Sequence, residues 1–299
     1  MAAAGTLVSP ADLARLHSLE VVAKLVVEGV RAGVHRSRFT GHSVDFADHR
    51  GYVPGDDLRH LDWKILARSD RVVLKRYEAE TDLACTLAVD GSASMAYQGT
   101  RATVSKFRYA SQLAACIGWL VIEERDRAGL LLFNEAACQE IAPSGRGTFP
   151  RLCRTLEGHQ PVGGTDAAKG LEHLLAPANA RGLVILLTDA MDEPEAIATA
   201  VERLTQRGHD LALVWILDPD EVDLGVGSVS RFEGLEDDGL LTAEPKALRT
   251  AYQAQVEAHR QSLLTLCRRR RLAFTACTTD EALHLPLNRL LVALHAERR

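Results

Sequence analysis

Apolar residues recur at helical spacing near the start of the chain, at Leu13, Leu16, Leu19, Val22, Leu25, Val26 and Val30. Ser9 and Pro10 precede them as N-cap and first-turn residue, so the pattern predicts a helix over 10–32. A polar passage with many Gly and His residues follows. In it Pro54-Gly55 marks a turn, Asp56 or Asp57 can cap a short helix reaching Ala67, and RVVLKRYE reads as a strand. From Asp82 onward the rhythm changes to apolar runs alternating with helical patterns: LACTLAVD, KFRYASQLAACIGWLVIEER and AGLLLF, with ACQEIA as a hairpin arm. FPRLCRTLEGH, AAKGLEHLLA, GLVILLTD, EPEAIATAVERLTQRG and LALVWILD continue it, and a long helix around 246–270, a strand LAFTAC and a helix near 281–297 finish it.

Short continuous apolar strands separated by amphipathic helices imply a parallel sheet buried on both faces. With right-handed crossovers the fold class is α/β, a doubly wound, mostly parallel sheet with helices on both faces. This domain is placed at 82–299, and 1–81 is read as an N-terminal helix plus an α+β segment. Near 226–245 the stretch VGSVSRFEGLEDDGLLTAEP interrupts the alternation, and Asp238-Gly239 within it predicts an inserted β-hairpin.

The composition narrows the classes of function. A formal charge of −5 over 299 residues argues against a general nucleic-acid binder, which normally shows a basic excess. Six cysteines without a C-x-x-C pair suit neither a zinc site nor a disulfide framework. Most of them sit in apolar runs, which points to buried free thiols and a reducing, cytoplasmic compartment. MAAAGTLVSPADLARL lacks a basic stretch followed by an apolar one, so no secretory leader is expected, and LAACIGWLVI is too short to span a bilayer.

In open parallel sheets functional groups collect in the loops beyond the C-terminal strand ends. Three such loops here carry oxygen. Asp90, Ser92 and Ser94 follow the first strand, Thr165 follows Gly163-Gly164 at a helix start, and Asp189 ends GLVILLTD. Two carboxylates and three hydroxyls form a candidate octahedral oxygen site for Mg²⁺, with Mn²⁺ also suited, at about 2.1 Å. Two Asp residues neutralise a divalent cation, and hydroxyls hold it in place without adding charge, so an arriving carboxylate can complete the shell. D-x-S-x-S also arises by chance in roughly one chain of this length in fifteen. Ser-Ala-Ser can equally be a turn with an N-cap, and Asp189 a helix cap.

Asp90-Gly91-Ser92-Ala93-Ser94, with Thr165 and Asp189, resembles the metal-ion-dependent adhesion site of von Willebrand factor A domains. The passage FADHRGYVPGDDLRHLDWKILARSDRVVLKRYEAETDLACTLAVDGSASM resembles, almost throughout, the signature of the bacterial domain-of-unknown-function 58 (DUF58) family. RGHDLALVWILDPDE, FEGLEDDG and YQAQVEAHRQSLLTLCRRRRLAFTACTTDE are similar to the same family, and the resemblance spans about residues 30–295. It implies an A-type core with a Mg²⁺ site and an association with MoxR-type AAA+ ATPases. One departure is visible: many members carry Ser before the last Asp, where this chain has Thr188.

Other signals are weaker. GYVPGDDLRHLDWK offers Asp56, Asp57, His60 and Asp62 as acid/base groups, but Arg59 and Lys64 can pair with those acids and Trp63 can seal an ordered connector. Arg268 to Arg271 close a helix, where cations favour the dipole. No phosphate loop, G-x-S-x-G or H-E-x-x-H occurs. The function expected is a non-enzymatic, Mg²⁺-dependent interaction module gripping a partner's acidic side chain, with a MoxR-type ATPase or its client as the protein partner. A metal-dependent phosphoester hydrolase using Asp90 is the alternative, although a dehalogenase-like site would place a carboxylate where this chain has Ser92. A structural scaffold with an inactive metal site is the third reading.

Overall fold

A computed structural model describes residues 13, 15–34, 49–51, 73–75, 83–176, 181–191, 194–223, 230–233, 240–243 and 245–297. The Asp56–Ala67 helix, Trp63, the Ser9-Pro10 start signal and the Asp238-Gly239 turn lie outside these residues. Two compact units emerge: residues 1–33 with 83–299, and residues 34–82. In the smaller unit, strand β1 (His49–Gly51) pairs antiparallel with β2 (Val73–Lys75), inside the predicted RVVLKRYE strand.

The larger unit is built on six strands: β3 (Ala84–Asp90), β4 (Arg127–Phe133), β5 (Cys138–Ser144), β6 (Gly182–Thr188), β7 (Asp210–Leu217) and β10 (Ala273–Thr278). Their order is β10-β7-β6-β3-β4-β5, parallel throughout except for β5. The chain thus starts in the middle of the sheet, winds outward to one edge, returns and winds to the other. The switch point lies between β3 and β6, whose pairs run from Ala84↔Gly182 to Val89↔Leu187.

Period-two alternation divides each strand between two cores. Cys85, Leu87 and Val89 of β3 face a core shared with helices α1 (Leu19–Val34), α2 (Lys106–Glu123), α3 (Phe149–Gly158) and α8 (His284–Glu297). Ala88 faces the opposite core, with α4 (Ala167–His173), α5 (Pro194–Gln206) and α7 (Pro245–Arg270). Helix α2 is buried nearly all round, because the sheet, α1, α3 and α8 enclose it. Antiparallel strands β8 (Ser230–Glu233) and β9 (Leu240–Ala243) form the inserted hairpin. Between β7 and that hairpin stands a short helix, α6 (Pro219–Asp223). All six cysteines are free thiols, and five of them are buried.

Two sequence expectations change. Residues 1–81 do not hold together as one segment: the first 33 join the main unit, because Leu19, Val22, Ala23, Val26 and Val27 of α1 are buried in the same core as Leu87 and Leu113. The helix predicted over 10–32 is interrupted: Leu13 is helical, residues 15–18 are not, and α1 starts at Leu19, whose N–H donates to the Glu157 carboxylate of α3 at 2.6 Å. The first N–H of α1 is thus satisfied by a group 138 residues away.

Candidate metal centre at the sheet switch point

Strand β3 ends at Asp90, whose side chain is wholly buried. The Ser92 N–H donates to Asp90 Oδ1 at 2.9 Å, which folds the chain back over the carboxylate, and the Ser92 and Ser94 hydroxyls lie 3.1 Å apart. Asp90 Oδ2 accepts two hydroxyls from distant loops, Thr165 Oγ1 at 2.9 Å and Thr188 Oγ1 at 2.7 Å. The turn after β3, the loop before α4 and the end of β6 therefore meet on one carboxylate.

The middle loop is positioned by its backbone. Ala93 N–H donates to the Gly163 carbonyl at 2.8 Å, Val162 N–H to the Gly91 carbonyl at 3.1 Å, and Asn134 Nδ2 to the Val162 carbonyl at 3.0 Å. Gly163 has φ +75°, a left-handed conformation that glycine adopts without a Cβ penalty. It delivers Thr165 to the site just before α4, which Asp166 caps through the Lys169 N–H.

Asp189 follows Thr188 and is equally buried. Its Oδ2 pairs with Lys106 Nζ at 2.8 Å, while its Oδ1 is buried with no hydrogen-bond partner. Its carbonyl accepts Trp215 Nε1 at 2.8 Å. The next residue, Ala190, sits at φ +50°, a strained position for a side-chain-bearing residue. It is held from both sides: its N–H donates to Thr188 Oγ1 at 2.9 Å, and its carbonyl lies 2.8 Å from His259 Nε2 of α7.

The electrostatics follow from crowding two carboxylates in a dry site. Burial first, and then the neighbouring Asp189, push the Asp90 carboxyl up to about 6, against hydrogen bonds from Ser92 and Thr188 that favour the charged form. A divalent cation between the two would relieve that repulsion and supply the partner that Asp189 Oδ1 lacks. Among the described residues no three His, Cys, Asp or Glu side chains gather into a metal-holding group. A cation here would rest on two carboxylates and on hydroxyls, a hard, oxygen-only donor set that suits Mg²⁺ or Mn²⁺.

Of the five predicted site residues, Asp90, Ser92 and Thr165 are joined by hydrogen bonds, Ser94 lies against Ser92, and Asp189 follows Thr188, which donates to Asp90. Sequence reasoning missed Lys106 and Glu221, which lies 2.6 Å from Lys106 Nζ, and it left Thr188 out of the ligand set. One signal for Lys106 was available: a cation in the first turn of a helix opposes the macrodipole and calls for nearby acids.

The family model described as "Protein of unknown function DUF58" matches residues 48–262. The uncharacterized proteins Rv1480 of Mycobacterium tuberculosis and Mb1516 of Mycobacterium bovis are each 31% identical over 230 residues, covering 75% of this chain and 71% of theirs. Among solved structures, the conserved hypothetical protein BatB from Bacteroides thetaiotaomicron is similar at 13% identity and TM-score 0.46, over 71% of this chain and 99% of that one. The SpRpn10 VWA domain is similar at 11% identity and TM-score 0.44, over 69% and 94%. Among the described residues no helix is long and apolar enough to cross a membrane. With the family model covering well over half of its length, the chain belongs to the DUF58 family.

Proposed function

We propose that the protein is a non-enzymatic, Mg²⁺-dependent interaction module whose switch-point site takes up an acidic side chain of a partner protein. The observation that carries this reading is the convergence of Thr165 and Thr188 on Asp90 beside a buried Asp189 oxygen that has no partner. Asp90 and Asp189 would hold the cation with the hydroxyls of Ser92, Ser94 and Thr165, and Mn²⁺ would serve as well. The bound cation supplies a Lewis-acidic position that a carboxylate from outside can fill. The partner proposed is a MoxR-type AAA+ ATPase or its client, on the strength of the family resemblance, and the compartment proposed is the cytoplasm.

The geometry favours binding over hydrolysis. Asp90 is wholly buried, which leaves its carboxylate poorly disposed to attack a substrate arriving from outside. Lys106, which pairs with Asp189, is buried between two carboxylates and not placed as a general acid toward an incoming substrate. In a pull-down with the full chain as bait, a partner retained in Mg²⁺ is expected to be released by EDTA and absent with Asp90→Ala, while phosphoester substrates are expected to show no turnover. Retention that survives both EDTA and the substitution removes this reading, and turnover lost in Asp90→Asn would favour the hydrolase.

A further inference from the structure

Lys106 occupies an unusual place. It opens α2, where the helix dipole disfavours a cation, and its side chain is only 1% exposed. Its ammonium lies 2.8 Å from Asp189 Oδ2 and 2.6 Å from Glu221 Oε1. Both contacts are ion pairs at hydrogen-bonding distance, so the ammonium is held between two carboxylates.

The ammonium has little room to leave. Lys106 N–H donates to the Tyr97 carbonyl at 3.0 Å, and Glu221 is fixed in α6 because its Oε2 accepts the Asp218 N–H at 2.8 Å. The segment ahead of α2 is tied to the same region. Gly99 N–H donates to Asp218 at 2.8 Å, and Thr100 N–H to Asp220 at 2.7 Å. Arg101 Nε donates to Asp220 at 2.6 Å. Lys106 is therefore a fixed cation in direct contact with one of the two carboxylates of the candidate metal centre.

We propose that Lys106 is a built-in counter-cation that shares Asp189 with the metal, its ammonium holding Oδ2 and leaving Oδ1 for the ion, so that the site grips Mg²⁺ weakly until an outside carboxylate adds its charge. This rests on the metal reading above and assigns the control of that site's affinity. Asp90, Asp189, Glu221 and Lys106 sum to two negative charges, enough to neutralise a divalent ion but not to surround it with excess. Removing the ammonium raises the negative charge beside the ion, whereas neutralising Glu221 leaves Lys106 to draw on Asp189 alone. The two changes must act on the metal in opposite directions.

Calorimetric titration of the full chain with MgCl₂, repeated with MnCl₂, tests this on Lys106→Met, Glu221→Gln and the parent. Lys106→Met is expected to bind about ten-fold more tightly than the parent and Glu221→Gln about ten-fold more weakly, the scale set by a unit charge at close range in a partly screened site. Equal affinities, or a weakening in both variants as a merely structural role would give, overturn the counter-cation. If Lys106→Met does not fold, the parent and Glu221→Gln decide, and equal binding by those two overturns it. If the parent itself takes up neither ion, the metal reading fails and the counter-cation with it, an outcome distinct from equal binding.

Discussion

At pH 7 without divalent cation, Asp90→Asn is expected to melt several degrees above the parent chain, and Mg²⁺ is expected to raise the parent's melting temperature while leaving the variant's unmoved. The carboxyl of Asp90 is pushed from its usual 3.8 up to about 6 by burial and by Asp189. A native state that holds this proton more tightly than the unfolded chain loses stability as pH rises from about 4 through 6, because across that window the native state binds more protons. At pH 7 the penalty is complete and amounts to about 3 kcal/mol. Asparagine removes it. Its Oδ1 can still accept the Ser92 N–H, and the Thr165 and Thr188 hydroxyls can rotate to accept from its amide. Ion binding stabilises the parent by mass action and has little to hold in the variant. Thermal melts between pH 4.5 and 7.5, in EDTA and in Mg²⁺, check both halves. A variant that melts lower than the parent in EDTA at pH 7, or that still responds to Mg²⁺, would contradict them.

Gly182→Ala is expected to lower stability by about 3 kcal/mol or more, a loss of roughly 6–12 °C in melting temperature. Gly182 opens β6 opposite Ala84 of β3, and a Cβ there would stand 1.9 Å from the Ala84 carbonyl oxygen. That obstacle is backbone in the centre of the sheet, so relief requires the two switch-point strands to separate at one end. Gly158→Ala, at the end of α3 with nothing within 4 Å of the added methyl, is the matched control. It is expected to stay within about 0.5 kcal/mol of the parent or gain slightly. Denaturant midpoints for both variants test the contrast.

The sheet was readable in the chain because its strands are buried on both faces and so appear as unbroken apolar runs such as LACTLAVD and GLVILLTD. Asp90 and Asp189 were readable for a related reason: a lone carboxylate at the end of such a run stands out, and the topology brings the ends of β3 and β6 side by side. The break ahead of α1 was not, since the apolar spacing runs through Leu13, Leu16 and Leu19 without interruption. Nor was the grouping of residues 1–33 with the main unit, because an amphipathic stripe shows that a helix buries one face without showing against what. Lys106 escaped because its partners arrive from two other loops, at Asp189 and Glu221. The direct bond from Thr188 to Asp90 escaped because adjacent strands, not adjacent residues, create it.

Beyond the site, the reversed strand β5 has a consequence for how the molecule behaves in a crowd. Its pairing with β4 shifts register between Ala128 and Leu130, with Ala142 and Pro143 set against the single Gly129, a bulge that bends the strand. Pro143, which has no amide donor, sits in the bulge against Gly129, and Glu140 adds a charge to the strand. A seventh strand from a neighbouring molecule would find a crooked, broken ladder there, so runaway sheet extension between copies is discouraged at this border by the same few residues that end the sheet.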